Sequence, residues 1–233
     1  MSDVHKPLDG LESVLGHTFS DRSLLETAVT HSSYANEGHG NRQYNERLEF
    51  LGDSVLGFIT ADFLFSRDNR SEGELTKLRA ALVCEKALAS YARTIDLGSY
   101  LRLGRGERHA GGSARPSILA DAFEAVLAAL YLDGGLDTVR PFLLPFVEKE
   151  AENQRRQHFR DYKTRLQEIV QQNPGERLEY VLVGESGPDH NKTFRTEVHL
   201  NSNVIGTGVA HSKKESEQQA AREALRLMGY DDI

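Results

Sequence analysis

Five acids occupy positions that an ordinary soluble helix would not choose for them. Glu46, Glu49 and Asp53 follow one another at i, i+3, i+7 inside NERLEFLGDS. At about 3.6 residues per turn, the three fall within roughly 60° of one another on a helix. That helix also carries Leu48, Leu51, Val55, Leu56, Ile59, Phe63 and Leu64. Asp121 and Glu124 repeat the i, i+3 spacing inside SILADAFEAVLAAL, with no Lys or Arg between Leu119 and Leu132. Like charges at this spacing repel by a few tenths of a kcal/mol when exposed. Burying them unpaired costs far more. A hard divalent cation compensates such a set: Mg²⁺ takes carboxylate oxygens and keeps several waters, and those waters can attack a phosphodiester. The plainer reading is a solvated acidic face, with Arg47 paired to one of the acids. Five acids on two apolar helices favour the cation.

The elements that must position these acids are legible from apolar periodicity. Leu11, Val14 and Leu15 share one helical face, as do Leu24, Leu25, Ala28 and Val29, with Asp21 as N-cap. Residues 31–44, HSSYANEGHGNRQY, read as a loop. Asn45 then caps a long helix from about Glu46 to Phe65. Ser71 and Glu74 have capping-box spacing and open a further helical stretch, broken near Cys84 and ending by Gly98. A Gly/Arg-rich connection, LGRGERHAGGSARP, leads to Pro116, which opens a strongly apolar helix stopped at Gly134–Gly135. One more helix follows, about 137–149. Residues 150–159 are polar and without apolar pattern; they could extend the preceding helix or act as a linker, and the linker is favoured.

Beyond that point the pattern changes. A helix from Tyr162 to Gln171 meets Pro174–Gly175. Three strand-like runs follow, 178–184, 194–200 and 204–210, with Asn201–Ser202–Asn203 as a tight turn. A helix over 213–228 closes the chain. The expected architecture is therefore a mainly α domain over residues 1–152, a linker over 153–160, and a small α+β domain of order α-β-β-β-α over 161–233. In this second domain Thr164, Gln167 and Glu168 stand at i, i+3, i+4. His190 and Lys192 lie in an exposed turn, and Ser212, Lys213 and Lys214 sit at a helix start. Lysines beside helix-terminal amides suit phosphate oxygens. A lone Lys-Lys pair is more often plain surface charge.

Composition sets limits on these readings. The chain has 233 residues, 39% hydrophobic and 27% charged. That suits globular domains with cores, and no stretch reaches a membrane span. The first ten residues, MSDVHKPLDG, have no apolar run of the kind a secretory signal needs. A single cysteine, Cys84, excludes an intrachain disulfide. Its neighbours Leu82 and Val83 suggest a small buried residue in a reducing, cytoplasmic setting. Net charge is −7, so a nucleic-acid partner must be met by local basic clusters. Gly104–Arg105–Gly106 is too short for a dinucleotide loop, and adjacent His31 and Ser32 make no triad.

The residues 45–54, NERLEFLGDS, closely resemble the signature of ribonuclease III. THSSY at 30–34 and SILADAFEA at 117–125 are similar to further motifs of that family. DYKTRLQE, GPDHNKTF and SKKESEQQAA resemble the double-stranded RNA-binding domain. Ser216 departs from it, standing where that family usually has Ala, and is expected to have a small effect on stability. The resemblance implies a Mg²⁺-dependent endonuclease, with Mn²⁺ able to substitute, that acts on double-stranded RNA as a homodimer. It implies that Glu49, Asp53, Asp121 and Glu124 are metal ligands, with Asp53 and Glu124 catalytic, and that Glu46 and Glu72 are supporting acids. It places Phe50 at the dimer interface. It assigns RNA contacts to Thr164, Gln167, Glu168, His190, Ser212, Lys213 and Lys214, and processing of ribosomal RNA precursors to the protein. Two other functions share these elements: a catalytically silent RNA-duplex chaperone, and a small-molecule phosphohydrolase. The complete acid set speaks against the first, and the appended domain against the second.

Overall fold

A computed structural model describes residues 5–37, 43–67, 69–159, 161–188 and 191–230, with 155–159 as backbone only. Backbone contacts divide the chain into two compact units, Met1–Glu152 and Asn153–Ile233.

The first unit is helical. Its helices are α1 (Leu8–Leu15), α2 (Arg22–Ala28), α3 (Ser32–Glu37), α4 (Glu46–Arg67), α5 (Glu72–Leu82), α6 (Glu85–Thr94), α7 (Arg105–His109), α8 (Pro116–Gly134) and α9 (Leu136–Phe159). Their ends follow local chemistry. The Asp21 carboxylate accepts the Ser23 N–H at 3.0 Å, and the Ser71 N–H donates to Glu74 Oε2 at 3.0 Å. Each satisfies an amide that helix geometry leaves without an internal partner. Pro116 begins α8, and Gly135, with φ 73°, ends it in a conformation that costs glycine little.

Helix α8 is the axis of this unit. From Ile118 to Leu130 every side chain is buried except Asp121 and Glu124. A helix apolar all round belongs in a core. Helix α4 packs along it, with Val55, Leu56, Ile59 and Leu64 in the shared core. Gly52 allows the closest approach: a Cβ there would lie 1.9 Å from the Glu124 carbonyl oxygen.

The second unit runs α10 (Tyr162–Val170), β1 (Leu178–Ser186), β2 (Thr193–Leu200), β3 (Asn203–Ala210) and α11 (Lys213–Leu227). The strands form an antiparallel sheet in the order β1-β2-β3. Asn201 takes φ 57° in the β2–β3 turn, a left-handed value Asn tolerates. Leu166, Val170, Val198, Ala220, Ala221, Ala224 and Leu225 form the core. Helix α11 rests directly on the sheet, because Gly206 and Gly208 offer no side chain there. A Cβ at those positions would lie 2.3 Å from the Ala220 oxygen and 2.0 Å from the Ser216 oxygen.

Four expectations need correction. The segment 31–44 is not all loop, since 32–37 is helical. Tertiary bonds hold that turn: the Gly104 N–H donates to Ser33 Oγ at 3.0 Å and the Arg105 N–H to Glu37 Oε1 at 2.7 Å. The Gly/Arg-rich connection contains α7. Residues 150–159 continue α9 and are no extended linker. Ala151, Glu152, Gln154, Arg155, Arg156 and Gln157 are good helix formers even without an apolar stripe. Cys84 is exposed, not buried. It stands at the corner between α5 and α6 as the residue preceding α6, and its apolar neighbours turn inward without it. Among the described residues, no helix is long and apolar enough to cross a membrane.

Candidate functional site

The crossing of α4 and α8 decides where the acids meet. Glu49, Asp121 and Glu124 each offer a carboxylate oxygen, and these oxygens lie within 4.8 Å of one another. All three residues are partly buried. No ion pair among the described residues reaches them, and Arg47 is exposed. Electrostatics register the crowding. Burial, then the charges of Asp53, Glu49 and Asp121, push the Glu124 carboxyl up to about 8. Burial, then Asp121 and Glu46, raise Glu49. Burial also raises Asp121, opposed by the nearby His31.

Asp53 is exposed, one turn along α4 from Glu49, and its charge reaches Glu124. Glu46 is exposed, at the first turn of α4, and its charge reaches Glu49. Glu72 is not brought to the cluster within this chain. It starts α5, accepts the Thr76 hydroxyl at 3.0 Å, and lines a cavity with Ala61, Leu64, Phe65 and Arg79 near the far end of α4. Phe50 is 80% exposed. The donor set is all carboxylate oxygen, without His or Cys. Such a set fits a hard cation of the Mg²⁺ or Mn²⁺ kind and not a tetrahedral zinc site.

Two contributors were not singled out in the sequence. Gly52 is one: any side chain there would drive the carbonyl of Glu124 away from α4. Its signal was a glycine inside a long apolar helix, a place that usually has a packing reason. His31 is the other. Its Nδ1 lies 2.8 Å from Ser33 Oγ and takes the Ser33 N–H at 3.2 Å, while its ring sits close enough to Asp121 to favour the ionised carboxylate. Sequence spacing carries no sign of that proximity.

In the second unit Thr164, Gln167 and Glu168 are exposed on one side of α10. Ser212, Lys213 and Lys214 are exposed at the start of α11. Ser212 Oγ accepts the Glu215 N–H at 3.2 Å, capping that helix. The Lys213 ammonium stands 5.6 Å from the Phe194 ring centroid, within cation–π range. His190 lies outside the described residues.

Taken together, these features define a two-part protein: a helical body with a desolvated carboxylate cluster, and an α-β-β-β-α module with basic residues at one helix start. A Ribonuclease-III-like family profile matches residues 21–150, and a double-stranded RNA binding motif matches residues 162–228. Ribonuclease 3 of Caldanaerobacter subterraneus subsp. tengcongensis is 53% identical over 221 residues, covering 94% of this chain and 97% of the relative. Ribonuclease 3 of Desulforamulus reducens is 50% identical over 230 residues, 97% of this chain and 93% of the relative. The solved nuclease domain of ribonuclease III from Campylobacter jejuni superposes with a TM-score of 0.57 at 39% identity, covering 62% of this chain and 98% of that one. The chain belongs to the ribonuclease III family, whose activity is endonucleolytic cleavage of double-stranded RNA.

Proposed function

We propose that the chain hydrolyses double-stranded RNA at the carboxylate cluster with Mg²⁺, or Mn²⁺ in its place, leaving 5′-phosphate and 3′-hydroxyl ends. The observation that carries this reading is the partly buried set Glu49, Asp121 and Glu124, with its shortage of compensating positive charge. Together with Asp53 these would hold the cation, Asp53 and Glu124 lying closest to the chemistry. Bound there, the cation supplies an activated water and offsets charge developing on the phosphodiester. The chain's own part is placement. Gly52 brings the two helices together, and the apolar wall of α8 keeps the carboxylates from spreading.

Residues 1–152 carry the chemistry in this reading, and 161–233 hold the duplex. Thr164, Gln167, Glu168 and His190 suit the 2′-hydroxyls of a shallow minor groove, and Ser212, Lys213 and Lys214 suit phosphates. Two chains act together. Phe50, Phe58 and Phe65 are 80%, 53% and 81% exposed, and at 100° per residue they fall within about 80° on α4. Such a stripe is a docking face, and the Campylobacter jejuni nuclease domain has a region involved in dimer formation. Glu46 and Glu72 then act as supporting acids, with Glu72 serving from a second copy. The lone cysteine suits the cytoplasm, and structured transcripts such as ribosomal RNA precursors are the natural substrates. The test is to incubate the purified protein with a long RNA duplex, with and without Mg²⁺, and to size the products. Short duplexes are expected only with the cation, and full activity in excess EDTA would overturn the proposal.

A further inference from the structure

The first three residues of the duplex-facing helix region are gripped from the opposite helix. The Lys163 N–H donates to Gln218 Oε1 at 3.2 Å, and the Lys163 ammonium meets Glu217 Oε2 at 2.5 Å. The Arg222 guanidinium lies 5.6 Å from the Tyr162 ring centroid. Gln218 Nε2 donates to Asp161 Oδ1 at 2.8 Å. Because Gln218 uses its oxygen on one backbone amide and its nitrogen on a carboxylate, its amide has one orientation.

Asp161 passes this constraint on. Its Oδ1 also accepts the Thr164 N–H at 3.2 Å, and its Oδ2 lies 2.9 Å from Thr164 Oγ. A carboxylate can only accept, so the hydroxyl proton of Thr164 points at Asp161. Thr164 is exposed, and its hydroxyl oxygen keeps acceptor capacity beyond that bond. A hydroxyl whose proton is already committed can receive a hydrogen bond from a ligand but cannot give one.

We propose that Asp161, held by Gln218 from α11, fixes the Thr164 hydroxyl as an acceptor toward the duplex and thereby selects a ribose 2′-hydroxyl as donor. This rests on the reading of residues 161–233 as the duplex-binding unit. Asp161 is a positioning residue and touches no RNA in this scheme. The ribose 2′-hydroxyl is the group that distinguishes RNA from DNA, and it can both donate and accept. A site that only accepts uses its donor capacity. That capacity is lost in 2′-fluoro RNA, which keeps the A-form shape.

The experiment measures affinity of the full chain, in EDTA to prevent cleavage, for one RNA duplex and its 2′-fluoro counterpart. Their ratio is compared between the parent and Asp161→Asn. Asn is an equally good N-cap, so the helix survives, and melting temperature checks this. Its Nδ2, replacing Oδ2, donates to Thr164 Oγ and turns the hydroxyl proton outward. Losing a negative charge strengthens both duplexes alike, so the ratio is free of that effect. The parent's preference for the 2′-hydroxyl duplex is expected to fall roughly three- to tenfold, about the worth of one hydrogen bond. In a Thr164→Val background, Asp161→Asn should leave the ratio unchanged, because the two act through one hydroxyl. An unchanged ratio in Asp161→Asn alone overturns the inference, as does an equal drop in the Thr164→Val background. Lys213→Ala with Lys214→Ala keeps the two levels apart. If that pair weakens binding while Asp161→Asn leaves the ratio fixed, only this inference falls. If the parent holds neither duplex, it falls together with the duplex-binding reading.

Discussion

Both units of this molecule bring a helix onto a neighbouring element through glycine, but they place their candidate functional groups at different depths. In the first unit, Gly52 sits against the carbonyl of Glu124, and the clustered carboxylates are partly buried where α4 crosses α8. In the second, Gly206 and Gly208 sit against α11, and the side chains proposed to meet RNA stand outside on exposed faces. On the proposed function, then, activity and stability oppose each other in the first unit, since the crowded acids strain the fold that holds them. In the binding unit the two are separable, and surface contacts can be removed without touching the core.

The largest expected effect comes from Glu124→Gln. Losing one cation-holding carboxylate should cost about 2.7 to 4 kcal/mol of transition-state stabilisation, roughly 100- to 1000-fold in single-turnover cleavage. Gel-shift affinity for the same duplex should persist. The metal-free fold should respond in the other direction. Folded, Glu124 holds its proton up to about 8, against the ordinary 4.5. The metal-free fold therefore gains stability from that proton in full below about 4.5, and loses it as pH rises through about 8. Thermal unfolding in EDTA at pH 8 should show Glu124→Gln above the parent, and the difference should shrink toward pH 4.5. A parent melting temperature that did not fall over that range would show the cluster to be compensated already.

Gly52→Ala should come next. The obstacle is backbone at 1.9 Å, not the end of a flexible chain, so the helices must separate. A loss of about 1–3 kcal/mol is expected, seen as a lower melting temperature together with slower cleavage. A variant as stable and active as the parent would show that the crossing does not set the site. Lys213→Ala with Lys214→Ala should weaken duplex binding roughly tenfold at physiological salt. The double change should also flatten the slope of log affinity against log salt by about two. Cleavage at saturating RNA and the melting temperature should hardly move. A fall in the maximal rate would place these lysines in the chemistry.

The smallest effect concerns a residue whose setting the structure clarifies. Ser216 is fully buried. Its hydroxyl donates to the Lys213 carbonyl at 2.8 Å and lies 2.7 Å from Thr196 Oγ1, so Thr196 must donate to it. Ser216→Ala leaves that donor without its partner and should cost about 1 kcal/mol. Adding Thr196→Val should restore the parent melting temperature, and a double variant less stable than the single would remove the pair as the cause.

Much of this was legible in the chain. Caps such as Asp21 and Ser71 act within a turn of themselves, so residue type and spacing reveal them. The Asp121–Glu124 pair could be read because every neighbour on its helix is apolar. Other features depend on distant partners. Helix α3 is held by Gly104 and Arg105, which bond to Ser33 and Glu37 from 71 and 68 positions away. His31 meets Asp121 only once the helices have packed. The polar stretch after Lys149 has helix-forming residues but no apolar period, and apolar period is what a sequence reader looks for first. The Ser71 cap announces that Glu72 begins a helix, yet nothing local shows that this helix lies against the far end of α4.

The position of Cys84 has a practical consequence. It is the single cysteine of the chain, and it is exposed at the corner between α5 and α6. A thiol-reactive probe would therefore attach once per chain, outside the core, without engineering a site. Counting labels would count subunits. In a paired assembly the distance between two such probes would give a ruler for how the chains sit, readable in solution with the native sequence intact.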